Sequence, residues 1–182
     1  MKSLTMIAAA LAVTATGAYA QMNPTVGGAE MFAQKNIIEN AVNSPVHKTL
    51  VAAVKAADMV ETLSGEGPFT VFAPTDEAFE MISDESLNAL LLPENKAQLQ
   101  KVLGCHVVAA DAMSMAIKGM IDDDNGNHPV PTVGGCTLQA TYDGDEITLT
   151  DENGRSANVT VADVDQSNGV IHVIDRVLLP KQ

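Results

Sequence analysis

The chain has no tryptophan, and its rings come from four phenylalanines and two tyrosines in 182 residues. So few aromatics exclude a platform on which nucleic-acid bases would stack. Positive charge is also scarce. Ten Lys and Arg stand against 23 Asp and Glu, for a net charge of −13. A phosphate-neutralising basic face is missing, so nucleic acid is excluded as a partner. The same balance argues against electrostatic docking on an anionic membrane. No H-E-x-x-H and no G-x-S-x-G occurs, which removes the commonest zinc-hydrolase and serine-hydrolase patterns. Past the first 20 residues no apolar run approaches the roughly 20 residues of a membrane span.

What is present begins with a leader. Lys2 gives a positive start, Leu4 to Val13 a short apolar run, and Ala18-Tyr19-Ala20 a small-residue cleavage signal. This predicts a signal peptide over 1–20 and an exported chain, periplasmic or extracellular, beginning at Gln21. Gln21 in place of Cys gives no lipoprotein anchor. In an oxidising compartment Cys105 and Cys136 read as one bridge. Two free thiols are the alternative, and a structural zinc pair would lack nearby His partners. Hydrophobic residues make up 46 % and charged residues 18 %, which at this length predicts one globular domain.

Residues 21–35 are small and polar and predict a loosely ordered N-terminal segment. A domain then runs over 36–180. Ile37, Ile38 and Ala41 show helical spacing, and Ser44-Pro45 reads as an N-cap and first residue of a helix continuing to Leu63. Phe69 to Ala73 is β-prone, and Thr75 caps a helix opened by Asp76 and Glu77. Helices follow over Glu85 to Leu92 and Pro93 to Leu103. A short strand starts at His106, and Asp111 caps a helix through Ile117. After Val130 the chain is β in character, with Asp143-Gly144, Asn153-Gly154 and Asn168-Gly169 as turns. The run from Val170 to Ile174 suggests a strand buried on both faces. Helices first and strands later make an α+β plan.

Three segments carry a family resemblance. Phe69-Thr70-Val71-Phe72-Ala73-Pro74-Thr75-Asp76-Glu77-Ala78-Phe79 resembles the first signature segment of the fasciclin domain. Leu103-Gly104-Cys105-His106-Val107-Val108 is similar to its short Tyr-His segment. Asn168 to Asp175, with Val177-Leu178-Leu179-Pro180, resembles the second signature segment. Cys105 stands where the family usually has Tyr, and the change supplies half of the cysteine pair, so a bridge replaces an aromatic anchor. The resemblance implies a wedge of two β-sheets flanked by helices. It also implies a non-catalytic adhesion role toward a cell-surface or matrix protein or polysaccharide, with self-association possible and no cofactor. Carried over residue by residue, it assigns binding to Asp163 and Val164, which match an Asp-Ile pair of some animal members, and to His106.

The remaining chemistry-bearing residues have plainer readings. His106 and His172 lie in signature strands and read as hydrogen-bonded structural histidines. His106 is expected to tie a strand to the Pro74-Thr75-Asp76 turn, and Thr75, Asp76 and His172 are expected to be structural. No residue is assigned to catalysis or to metal. Asp122-Asp123-Asp124-Asn125-Gly126-Asn127 is rich in oxygen ligands but out of register for a calcium loop, and reads as a solvated acidic turn. Met59, Met81 and Met113 are expected to fill gaps in the core. The rival to adhesion is an enzyme or small-ligand carrier with a pocket near His106 or His172.

Overall fold

A computed structural model describes residues 23–181. The leader expected over 1–20 and its cleavage point lie outside the described residues. The chain opens with β1 (Thr25–Val26) and β2 (Ala29–Glu30), an antiparallel ribbon. The loose segment expected here is instead packed down, because Val26 and Met31 insert into the core at 3 % and 2 % exposure. The helices α1 (Ile37–Asn43), α2 (Lys48–Ala56) and α3 (Val60–Ser64) follow. Asn36 caps α1 in a reciprocal box with Glu39, satisfying two orphan backbone donors. The single helix expected through Leu63 is broken at Asp58, which has φ 55°.

Next come β3 (Phe69–Pro74), α4 (Asp76–Glu80), α5 (Asp84–Leu90), a 3-10 turn at Pro93–Asn95, and α6 (Lys96–Gly104). After them stand β4 (Val107–Val108), α7 (Ser114–Asp123), β5 (His128–Pro131), β6 (Thr137–Asp143), β7 (Glu146–Thr150), β8 (Ser156–Gln166) and β9 (Gly169–Ile174). The seven strands β3 to β9 run in the order β4-β3-β9-β8-β7-β6-β5. Only β3 and β9 pair in parallel; every other neighbouring pair is antiparallel. The long β8 pairs with β7 through Ser156 to Asn158 and with β9 from Val159 on, across two register shifts. It thus joins two halves of one hydrogen-bonded array. At Gly169, φ is 151° and a side chain would collide with the Phe69 backbone, so the β8–β9 turn requires glycine there.

Two cores result. Val71 and Ala73 of β3 and Ile171 and Val173 of β9 face α1, α2, α4 and α6. Their alternate neighbours Phe72 and Ile174 face a second core with Ile121 of α7 and Leu138 and Leu149 of β6 and β7. Both halves of the array contribute to that second core, which is the expected wedge. It also explains the apolar run in β9, whose side chains are buried on both faces as in strands covered on two sides.

Candidate functional site

His106 is 2 % exposed, at the end of α6. Its Nδ1 lies 2.9 Å from the Val102 carbonyl, and the Leu178 N–H donates to Nε2 at 2.9 Å. The two partners fix the tautomer: Nδ1 carries the hydrogen and Nε2 accepts. Burial pushes the pKa down to about 4, against the opposing pull of the Val102 carbonyl and the Asp151 carboxylate. The expected tie to the Pro74-Thr75-Asp76 turn is not the one made. The ring joins α6 to the C-terminal segment instead. The cavity beside it is about 30 Å³ and lined mainly by aliphatic side chains. That is room for one or two waters, too small for an organic substrate. A direct binding contact through this ring would need a surface it does not have.

His172 is fully buried and stacks on Phe72 with ring centroids 5.7 Å apart. Its Nε2 lies 2.8 Å from the Ala112 carbonyl, and the Asp163 N–H donates to Nδ1 at 3.2 Å. Burial lowers its pKa; the Ala112 carbonyl, then Asp163 and Asp111, oppose the shift. Asp163 itself has φ 58° and accepts from the Ser114 N–H at 2.6 Å and from the Ser114 hydroxyl. It therefore caps α7, the task expected of Asp111. The neighbouring Val164 is completely buried in the first core. The pair assigned to binding is thus one helix cap and one core residue, because the bulged part of β8 turns Val164 inward.

Thr75 caps α4, accepting the Ala78 N–H at 3.3 Å. Asp76 reaches further. It accepts from the Thr49 N–H at 2.8 Å and the Lys48 N–H at 3.4 Å, capping α2 from 27 residues away. Burial pushes the Asp76 carboxyl up, but the Thr49 and Lys48 donors and the nearby His47 outweigh it and hold it below its ordinary value. Ser44 does not cap α2. Its hydroxyl pairs with His47 Nδ1 at 2.8 Å. His47 is 4 % exposed, and burial lowers its pKa against the Ala73 carbonyl and Asp76. That carbonyl is near but outside bonding geometry, so Nε2 is buried without a hydrogen-bond partner among the described residues.

Cys105 and Cys136 are bonded, with Cα atoms 5.3 Å apart. In the acidic turn, Asp122 accepts from the Tyr142 hydroxyl at 2.6 Å and Asp124 pairs with His128 Nδ1 at 2.6 Å. Among the described residues no group of three or more His, Cys, Asp or Glu is placed to hold a metal ion. No described helix is long and apolar enough to cross a membrane. Met59 packs against the first core, whereas Met81 is 62 % exposed and fills no core gap.

Met81 borders a cleft of about 710 Å³ between α5, α6 and residues 179–181. No local sequence pattern marks this cleft, whose lining comes from four separate stretches of chain. Lys101, Arg155 and Lys181 line it, and no Asp or Glu does. Behind this lining lies Asp151, which is 4 % exposed and accepts N–H groups from Asn153 (2.9 Å), Arg155 (3.0 Å) and Leu179 (3.1 Å). Asn153 donates to the Leu179 and Pro180 carbonyls, and Glu152 accepts the Lys181 N–H at 2.9 Å. The β7–β8 turn thus clamps the C-terminal segment against the body. Its sequence signal was the Asp-x-Asn-Gly pattern, in which a carboxylate folds back onto its own backbone.

Residues 45–180 match the family model described as Fasciclin domain. Protein sll1483 of Synechocystis is 40 % identical, with the match covering 93 % of this chain and 95 % of that protein. The cell surface glycolipoprotein MPB83 of Mycobacterium bovis is 29 % identical, over 89 % of this chain and 69 % of its own. The FAS1 domain pair of the insect cell adhesion molecule Fasciclin I superposes with a TM-score of 0.70 at 19 % identity, covering 80 % of this chain and 51 % of that one. A shared fold and a family match over most of the length lead to one conclusion: the chain belongs to the fasciclin domain family.

Proposed function

We propose that the protein is an exported, non-catalytic interaction module that attaches to a cell-envelope or extracellular-matrix component. One observation carries this reading. The side chains with catalytic potential in the signature segments are already committed to the fold. His106 and His172 each have both ring nitrogens paired inside the protein. A general base needs a free nitrogen within reach of substrate, and neither offers one. The cell-surface and adhesion proteins that share the family or fold support the same reading. Binding then belongs to the outer surface rather than to the signature strands. A pull-down with the purified chain against envelope and matrix fractions tests this. Specific capture of a component, lost on altering one surface, is the expected result. Retention of nothing from either fraction would reject it.

A further inference from the structure

The cleft beside α5 and α6 is at odds with the charge of the chain around it. Its lining carries three cations and no carboxylate, in a protein with 23 acids and ten bases. Lys101 and Lys181 are exposed and make no side-chain hydrogen bond or ion pair among the described residues. Arg155 is held in place, with Nε 3.4 Å from the buried Asp151 carboxylate. Glu152 accepts the N–H groups of Lys181 and Thr137 and lies near Lys101 and Lys181, whose charge it offsets in part. Ser86, Asn95 and Gln98 add hydroxyl and amide groups, while Leu90, Val102 and Leu179 add an apolar lining.

We infer that this cleft binds a strand of carboxylated polysaccharide, a polyuronate. The inference rests on the interaction-module reading and deepens it by naming the partner's chemistry. Uronate carboxylates pair with the lysines and the arginine. Sugar hydroxyls suit the amide and hydroxyl groups, and the C–H faces of the rings suit the apolar lining. Charge complementarity favours a narrow strand over an acidic protein. A protein partner covers about 800 Å² on each side. Such a footprint would spread from the cleft onto exposed Asp84, Glu85 and Glu94, where like charges oppose it. A strand lying along the cleft meets Lys101, Arg155 and Lys181 directly and covers less of the acidic surface around them.

Calorimetric titration of the full chain with a galacturonate oligomer tests the inference. Its methyl-esterified, uncharged counterpart and a glutamate oligomer of matched length serve as comparisons. The galacturonate oligomer is expected to bind, more weakly as salt is added. The double variant Lys101→Gln and Lys181→Gln should bind about tenfold more weakly, the effect of losing two partly exposed charge pairs. Its melting should be nearly unchanged, since both side chains are exposed and make no side-chain hydrogen bond among the described residues. Absence of galacturonate binding, equal binding by the double variant, equal binding of the esterified oligomer, or tighter binding of the glutamate oligomer would each overturn it. The same preparation is also passed through the envelope and matrix pull-down. Capture there by a chain that ignores galacturonate removes the polyuronate inference and leaves the interaction-module reading standing. Failure in both assays removes both.

Discussion

His106 shows how one buried imidazole makes stability depend on pH. It accepts from the Leu178 N–H at Nε2, so a second proton there would set two donors face to face. The folded pKa is about 4, against an unfolded value near 6.5. The unfolded chain therefore binds a proton first as pH falls. The contribution of His106 is complete above pH ~6.5 and is lost progressively toward pH ~4, about 3 kcal/mol by linkage. His172 and His47 shift in the same direction and add to the trend. The melting temperature should thus begin to fall near pH ~6.5, above the range in which carboxylates titrate. A melting temperature that stays flat down to pH ~4.5 would refute this account. His106→Ala should cost about 2–4 kcal/mol at neutral pH, because it opens a cavity and leaves the Leu178 N–H without its acceptor. Urea unfolding measures it, and a loss below about 1 kcal/mol would remove His106 from its structural role.

At the scale of elements, two helices are capped by residues far away in sequence. Asp76 caps α2 and Asp163 caps α7. Each cap removal costs about 1–2 kcal/mol. Asp163→Ala should therefore lower the melting temperature, and Asp163→Asn should recover part of it, since Asn keeps an acceptor and tolerates positive φ. Equal melting of Asp163→Ala and the parent protein would show the cap to be idle. These contacts mark where sequence reading stops. Thr75 and the strands β3 and β9 were legible because their signals are local: an acceptor beside a helix start, and runs of β-branched and aromatic residues. Ser44 and Asp111 stood in the right local position for caps, but tertiary contacts supplied better acceptors. The break at Asp58 carried no glycine or proline to announce it. The burial of Val164 has no local signal, because a bulge in β8 changes which face each residue meets. The cationic cleft could not be read at all, since it joins Met81, Lys101, Arg155 and Lys181 only after folding.

The whole molecule has two cores that share two strands. Neighbouring residues of β3 and β9 point into opposite cores, so neither core can open without exposing the other. The Cys105–Cys136 bridge adds a second connection, from the end of α6 to the start of β6 across 31 positions. Around it the backbones touch directly: the Gly134 N–H donates to the Gly104 carbonyl at 2.9 Å and the Val133 N–H to the Val107 carbonyl at 2.8 Å. Removing the bridge with the pair Cys105→Ala and Cys136→Ala relieves the unfolded chain of a constraint worth about 3–4 kcal/mol in the chain-entropy model. Stability should fall by up to that amount. Cooperativity should survive, because the shared strands rather than the bridge couple the cores. Two probes can separate these effects. Tyr142 is packed against the second core and is the one tyrosine among the described residues, so its fluorescence reports that core. Far-ultraviolet circular dichroism is dominated by the helices, most of which pack on the first core. In urea both signals should move together with and without the bridge, at a lower midpoint in its absence. Coincident curves in the parent protein but separated curves in the double variant would assign the coupling to the bridge instead.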